Sequence, residues 1–320
     1  MENAREIFEA AVRAEETGDF DEARRLYEQA SLMAPANPQP KLRLAFLLHK
    51  ERKWKEAIRV ARQLTKQSTH LQPAYFVIAH SYAQLGRWIV AEQFYREALA
   101  INEDPNLRVL LAFVLGELER NDEAEACLHK ALENKPDNDE AHYHLGRIYK
   151  SKGESATAEQ HFKRAIEIYP KNTFALAALG ELLAGENGRT KEAIGFLKRA
   201  VRHNPNDGWS RAYLGNALCK LRRLKPAEDQ FRRLLELWPN ESMPNWLYGD
   251  FLAAYSEDSL TAERYLRKAV EIEPKNQWAN YYLGKHLLYW DRPGESKKFL
   301  TKAARLGHAK ARELLLAQKA

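Results

Sequence analysis

The residues of this sequence that could perform chemistry are ten histidines, two cysteines and one glycine-rich turn. The turn, Gly185 to Arg189, has no lysine–hydroxyl pair and follows no strand pattern, so it lacks what a phosphate-binding loop needs. His142 and His144 stand two apart on a predicted helix and point away from each other, which makes them a poor metal pair. No HExxH, CxxC or GxSxG pattern occurs. We therefore expect a non-catalytic protein with no metal and no cofactor, and we expect His142 to fill the core.

The element that would position any of these side chains is a helical hairpin, seen most clearly in residues 139–172. Apolar and small residues recur there at spacings of three and four on both sides of Gly153, which predicts two helices joined by a turn. Pro170 ends the second helix, because proline has no N–H to donate. Gly146 and Ala158 leave room for the two backbones to approach closely. One such hairpin cannot bury its own apolar face, so it needs neighbours.

The same pattern recurs along the whole chain. One small residue returns at steps of 33 to 35 residues, and a larger residue follows it four positions later in eight of nine cases. A second small residue precedes it by 12 or 13 positions, and six prolines close units of this length. The first series is Ala23, Ala57, Ala91, Ala124, Ala158, Ala193, Ala227, Ala262 and Ser296.

This pattern resembles the tetratricopeptide repeat, a helix–turn–helix of about 34 residues. The resemblance implies an all-α fold, a right-handed superhelical α-solenoid of nine helix–turn–helix repeats plus a C-terminal capping helix. Thr69 and Glu103 stand where the second and third repeats lack the closing proline. The expected array spans residues 4–308 and residues 309–320 form the capping helix. The repeats are 4–37, 38–71, 72–104, 105–138, 139–172, 173–207, 208–241, 242–276 and 277–308.

The resemblance also implies where a partner binds, since the first helix of each family repeat lines a concave groove. Aligned with the family, this wall has two aromatic or apolar zones on either side of a polar, partly cationic middle. We expect a partner protein or peptide to lie in that groove, with Arg147, Lys150 and Asn216 contacting its polar or acidic groups. The expected groove residues are Phe46, Phe76, His80, Phe113, Tyr143, His144, Arg147, Lys150, Trp209, Tyr213, Asn216, Trp246, Asp250, Trp278 and Tyr282. The same alignment places Leu42, Val77, Val109, Leu247 and Tyr281 on the wall.

Two other functions stay open at this point. The chain could serve as a structural subunit of a larger assembly through its convex and end faces. It could also associate with nucleic acid, because residues 161–320 carry 28 basic and 18 acidic side chains and basic clusters neutralise phosphates. Those clusters, in the sixth and seventh repeats, fall on turns and second helices and not among the groove aromatics. A further basic stretch, residues 41–96, has eleven basic and three acidic residues.

The location that the sequence favours is the cytoplasm. No run approaches the roughly 20 apolar residues of a membrane span, and the first ten residues lack the basic start and apolar core of a signal peptide. Cys127 and Cys219 lie in different predicted repeats, so a disulfide between them is not expected and a reducing compartment fits.

Overall fold

The computed structural model describes residues 3–67 and 71–317, and within these ranges the chain forms α-helices and no strand. The predicted all-α class is confirmed. The chain divides into two compact units, Met1–Ile168 and Tyr169–Ala320. Residues 68–70, with Thr69 of the second predicted repeat, and residues 318–320 of the predicted capping helix lie outside the described residues.

The first unit consists of five helical hairpins. In each hairpin an odd-numbered helix packs on the even-numbered helix that follows it, and within this unit each of the first four hairpins also packs on the hairpin that follows it. The helices are α1 (Ala4–Thr17), α2 (Phe20–Met33), α3 (Pro38–Lys50), α4 (Trp54–Gln67), α5 (Gln72–Gln84), α6 (Trp88–Ile101), α7 (Pro105–Glu117), α8 (Asn121–Asn134), α9 (Asp139–Ser151) and α10 (Ser155–Ile168).

The second unit consists of four hairpins and one further helix. Neighbouring first helices also contact each other here, α11 with α13 and α15 with α17. The last helix packs on α18 through the fully buried Ala311 and is the predicted C-terminal helix. The helices are α11 (Thr173–Gly185), α12 (Thr190–His203), α13 (Gly208–Lys220), α14 (Leu224–Leu237), α15 (Ser242–Tyr255), α16 (Ser259–Ile272), α17 (Gln277–Tyr289), α18 (Pro293–Arg305) and α19 (Ala309–Ala317).

Many first helices begin at a side chain that caps their free N–H groups. Asn138 Oδ1 accepts from the Ala141 N–H at 2.9 Å, and Asn172 Oδ1 accepts from the Ala175 N–H at 2.9 Å. Asparagine is among the best N-cap residues because its short side chain reaches the N2 or N3 amide. Both asparagines are buried. Asn138 Nδ2 also donates to Asn106 Oδ1 of α7 at 3.2 Å, so this cap links two neighbouring hairpins.

The two helices of a hairpin approach closely where the sequence has its paired small and large residues. A Cβ atom placed on Gly146 would lie 2.5 Å from Phe162 Cε1, and one on Gly180 would lie 2.5 Å from Leu197 Cγ. Phe162 and Leu197 are fully buried. The predicted close approach is therefore confirmed in both units.

Candidate functional site

The first group of predicted groove residues in the first unit is an aromatic row across α3 and α5. Phe46 stacks on Phe76 with ring centroids 6.0 Å apart, and Phe76 lies 5.5 Å from the ring of His80. Tyr95 of α6 bonds His80 Nδ1 through its hydroxyl, 3.1 Å away. Burial lowers the pKa of His80 and so favours its neutral form. The row is thus a half-buried, largely aromatic surface.

A second group in the first unit joins α7 and α9. The ring of His144 lies 5.8 Å from Phe113 and 5.0 Å from Tyr143, and the Arg147 guanidinium lies 5.9 Å above the Tyr143 ring. Burial, and then the charge of Arg147, lower the pKa of His144 to about 4. Phe113, His144 and Arg147 line a cavity of about 140 Å³. Lys150 is half-buried one turn further along α9 and is not among its lining residues.

In the second unit α13 presents an exposed aromatic side chain. Trp209 is 54% exposed and its ring centroid lies 6.2 Å from that of Tyr213. Asp207 holds the start of α13 by accepting from the Trp209 N–H at 3.3 Å. The helix lies so close to Trp238 that a Cβ on Gly208 would meet the indole at 2.4 Å. Asn216 is exposed two turns along the same helix.

The most compact group is an aromatic stack between α15 and α17. The ring of Trp246 lies parallel to Tyr282, with centroids 5.0 Å apart and planes 9° apart. Trp278 stacks on Trp246 at 6.1 Å and lies 6.4 Å from Tyr282. Trp278 is 45% exposed, whereas Trp246 and Tyr282 are half-buried. We call these three residues the aromatic stack.

A residue in the turn before α19 supports this stack. His308, just before that helix, lies 4.0 Å from the parallel ring of Tyr281 and 4.5 Å from the perpendicular ring of Trp278. Its Nδ1 accepts from the Ala311 N–H, while Nε2 is buried without a hydrogen-bond acceptor. Burial lowers the pKa of His308. His308 could not be predicted from the helical pattern of the sequence, because it stands in a turn outside that pattern.

A charged pair lies at the edge of the aromatic stack. Lys285 Nζ lies 3.1 Å from Asp250 Oδ1 and 5.5 Å from the centre of the Tyr282 ring. Burial raises the pKa of the Asp250 carboxyl, and the ammonium of Lys285 acts in the opposite direction. Both side chains line a cavity of about 500 Å³ between α15, α17 and α19. Its other lining residues are mostly apolar: Ala253, Ala254, Tyr282, His286, Leu288, Tyr289 and Leu314.

Five residues that the alignment placed on the wall are packed into the core instead. Leu42, Val77, Val109, Leu247 and Tyr281 each have at most 9% of their surface exposed. They lie on the sides of the first helices that neighbouring helices cover. His142, expected in the core, is half-buried, and its Nδ1 lies 3.0 Å from His161 Nδ1.

Two observations concern metal sites and membrane spans. In residues 3–67 and 71–317, no three histidine, cysteine or acidic side chains come together in a way that could hold a metal ion. None of the helices described has the length and apolar composition of a bilayer-spanning segment.

Comparison with family models identifies the repeat. Residues 14–76 and 182–242 match models described as tetratricopeptide repeat, and residues 87–177 match a model described as Tetratricopeptide Repeats-Sensor. The three matched segments lie one after another and do not overlap, so the repeat pattern is recognised in both units.

Curated relatives share parts of the chain. Protein O-mannosyl-transferase Tmtc3 of Drosophila melanogaster is 30% identical over 162 residues, 50% of this chain and 17% of that protein. BBSome complex member BBS4 of Bos taurus is 30% identical over 135 residues, 41% of this chain and 25% of that protein. Anaphase-promoting complex subunit 3 of Schizosaccharomyces pombe is 24% identical over 169 residues, 52% of this chain and 25% of that protein. The chain therefore spans a quarter or less of the length of these relatives.

Solved structures share the fold. A monomeric mutant of IFIT1 with Gppp-AAAA matches with a TM-score of 0.64 at 16% identity, covering 93% of this chain and 80% of that chain. The Cut9–Hcn1 hetero-tetramer of the APC/C matches with a TM-score of 0.67 at 15% identity, covering 87% of this chain and 55% of that chain. At these identities the likeness shows the fold alone.

Proposed function

The chain belongs to the tetratricopeptide-repeat family, and from that premise we propose that it is a non-catalytic adaptor that binds a peptide or helical segment of a partner protein. The family generally mediates protein–protein interaction and assembly. The proposal assigns the binding to the first helices of the hairpins, where the aromatic side chains described above are concentrated.

The observation that carries the proposal is the aromatic stack of Trp246, Trp278 and Tyr282. Two tryptophans and a tyrosine held parallel, with Trp278 45% exposed, form a rigid apolar surface that water does not solvate well. Tryptophan and tyrosine are enriched among the residues whose truncation costs a complex about 2 kcal/mol or more. Binding of a partner side chain to this surface would cost little conformational entropy of the adaptor, because its rings are already held in place.

The polar groups beside the stack give this surface its orientation. The partly buried Asp250 has Lys285 as its ion-pair partner, and burial disfavours its charged form. A partner that brings a basic or amide group to this carboxylate satisfies a second lone pair in a region of low dielectric, where hydrogen bonds are stronger than in water. The adjoining cavity of about 500 Å³ accepts an apolar side chain next to that polar contact.

The first unit offers a second contact region of different character. Phe113, His144 and Arg147 line its cavity, and Arg147 is exposed. An exposed guanidinium next to aromatic rings binds a carboxylate with two parallel hydrogen bonds. We propose that Arg147, with Lys150 beside it and Asn216 in the second unit, contacts acidic or polar groups of the partner.

A role as a subunit of a larger assembly is the second candidate, and the relatives favour it. Two of them are named as members of multiprotein complexes, the BBSome and the anaphase-promoting complex. Exposed apolar side chains away from the groove helices, such as Leu32, Ile89 and Leu260, offer contacts for such an assembly. This candidate predicts partners that persist when the groove aromatics are removed.

The Tmtc3 alignment covers 17% of that transferase, and transferase activity is not part of the proposal for this chain. Cys127 and Cys219 are both free thiols, and free thiols fit a reducing compartment such as the cytoplasm. We include nucleic acid only as an alternative ligand of the basic sixth and seventh repeats.

The experiment that tests the proposal compares two triple variants in a crosslinking pulldown from native lysate. One variant is Trp209→Ala/Trp246→Ala/Trp278→Ala, and its matched control is Leu32→Ala/Ile89→Ala/Leu260→Ala, which also removes three exposed apolar side chains. Both are checked for unchanged helicity by circular dichroism. The proposal expects the first variant alone to lose specific partners. If only the control variant loses specific partners, or if neither variant does, the interface lies on other surfaces.

A further inference from the structure

A row of positive charge runs along the exposed side of α4. Lys55, Arg59, Arg62 and Lys66 follow one another at spacings of four, three and four residues, so they lie on one face of the helix. All four are exposed. Together with Ile58 and Gln63 they line an open groove of about 450 Å³. We call these four residues the basic row.

Among the described residues, the basic row has no acidic partner, unlike single arginines on three of the other second helices. In α6, Arg96 pairs with Glu92, and in α14, Arg232 pairs with Glu228. In α16, Arg267 pairs with Glu263. In the described part of the chain, no carboxylate forms an ion pair with any member of the basic row. Its helix contains a single acidic residue, Glu56. The charge of this face is therefore unbalanced within the molecule.

One member of the row is held in place by aromatic neighbours. Arg62 Nη2 donates to the Tyr82 hydroxyl at 2.9 Å, and its guanidinium lies 5.7 Å from the Tyr82 ring and 5.8 Å from the Phe94 ring. Those two rings stack on each other at 6.0 Å with planes 13° apart. Binding of a partner therefore costs less side-chain entropy at Arg62. The rings of Tyr82 and Phe94 beside it already stack on each other.

We propose that the basic row binds an acidic segment of a protein partner, and that this surface is separate from the groove formed by the first helices. The row extends over about 16 Å, from the rise of 1.5 Å per residue. A helix that carries a glutamate on successive turns presents carboxylates at the same spacing. Opposite potentials on two facing surfaces speed association and select the partner.

The same features disfavour a single-stranded nucleic acid as the ligand. Such ligands are bound by stacking their bases on free aromatic faces next to a basic groove. The aromatic rings next to the basic row, Tyr82 and Phe94, are half-buried and stacked on each other. The basic row has positive charge but no free aromatic face for stacking bases. It therefore suits the carboxylates of a protein partner better than single-stranded nucleic acid.

The test uses the full chain and a synthetic probe. The probe is a fluorescein-labelled helical peptide of about 18 residues with glutamates at the spacing of the basic row, and its counterpart has glutamine at those positions. The test variant is Lys55→Glu/Arg59→Glu/Lys66→Glu. The control variant, Lys191→Glu/Lys198→Glu/Arg202→Glu, makes the same charge change on exposed residues of α12. Fluorescence anisotropy is measured at about 50 and 300 mM salt, and helicity is checked for every protein.

We expect the acidic peptide to bind the wild type and the α12 variant alike, and to bind the α4 variant about tenfold more weakly or worse. Binding weakens at the higher salt, and the glutamine peptide does not bind. Equal losses in both variants, or no binding of the acidic peptide, overturn the proposal. A single-stranded oligonucleotide of equal charge is run in parallel. If it binds through the basic row more tightly than the peptide, the site is assigned to nucleic acid and the proposal is wrong.

Discussion

Trp246 and Tyr282 lie face to face, one on α15 and the other on α17, with ring centroids 5.0 Å apart. The two rings come from successive hairpins, so the aromatic surface exists only when those hairpins are stacked. The stability of the packing between these hairpins therefore determines whether the aromatic stack is available to a partner. Solenoid stability depends on interfaces between neighbouring repeats, and this interface carries the residues that we propose bind the partner.

The support of Trp278 by His308 predicts a positioning effect. Replacing His308 with alanine removes the ring that lies 4.5 Å from Trp278 and 4.0 Å from Tyr281. We expect Trp278 to become more mobile, and partner affinity to fall by up to about tenfold, because binding must then immobilise the indole. The measurement is the affinity for a recovered partner segment, together with acrylamide quenching of tryptophan fluorescence.

His308→Phe separates positioning from chemistry, because phenylalanine keeps a flat ring of similar size. It is expected to restore most of the affinity. If His308→Ala leaves quenching and affinity unchanged, His308 does not position Trp278.

The close approach of α9 and α10 at Gly146 predicts a pair of opposite glycine effects. Gly146→Ala places a methyl group 2.5 Å from the buried ring of Phe162, and overpacking of this kind costs about 1–3 kcal/mol of unfolding free energy. Gly116, within α7, has no heavy atom within 4 Å of the added Cβ, so Gly116→Ala is expected to stabilise by up to about 1 kcal/mol. Urea unfolding of both variants measures the difference. Equal changes in both would contradict the proposed contact.

The hairpin turns predict a stabilising substitution. In eight of the nine described hairpins one residue between the two helices has positive φ, and glycine occupies this position in several of them, including Gly18, Gly86 and Gly153. Glu119 has the same conformation at φ 60°, which costs a side chain about 1 kcal/mol. Glu119→Gly is therefore expected to raise the unfolding free energy by about 0.5–1 kcal/mol. The control is Glu117→Gly, one residue outside the turn and at the helix end, which lacks that strain and should not stabilise.

The histidines predict that stability falls in mild acid. Burial lowers the pKa of both His144 and His161 to about 4, with charges of neighbouring groups contributing, while an unfolded histidine titrates near 6.5. Between those two values the unfolded chain binds more protons than the folded chain, so the unfolding free energy decreases as pH falls from about 7 to 4.

A variant isolates this effect. His161→Gln removes one of the two titrations, so its loss of unfolding free energy between pH 7 and pH 5 should be about 1 kcal/mol smaller than that of the wild type. Urea unfolding at both pH values gives the comparison, and His203→Gln, an exposed histidine of α12, is the control. An equal loss in the wild type and His161→Gln would mean that His161 is not held neutral by the fold.

The sequence predicted the hairpins well because their signals are local. The spacing of small and large residues predicted the close approach of the two helices that the structure shows at Gly146, and proline and glycine marked where helices end. It predicted less well which wall residues stay accessible. Trp246 and Leu247 are adjacent in one helix, yet the first is half-buried and accessible while the second is buried. Helical periodicity predicts the direction in which a side chain points, but whether that side chain is buried depends on the neighbouring hairpin. His308 was missed because it acts from a turn.

The most direct test of the central claim is the affinity of a recovered partner segment for the wild type, Trp246→Ala and Trp290→Ala, measured by calorimetry. Trp290 is 50% exposed but lies at the end of α17, so it controls for loss of an exposed indole. We expect Trp246→Ala to weaken binding by about 2 kcal/mol or more and Trp290→Ala to leave it within about 0.5 kcal/mol. Equal affinities for all three proteins would contradict the assignment of the aromatic stack as the binding surface.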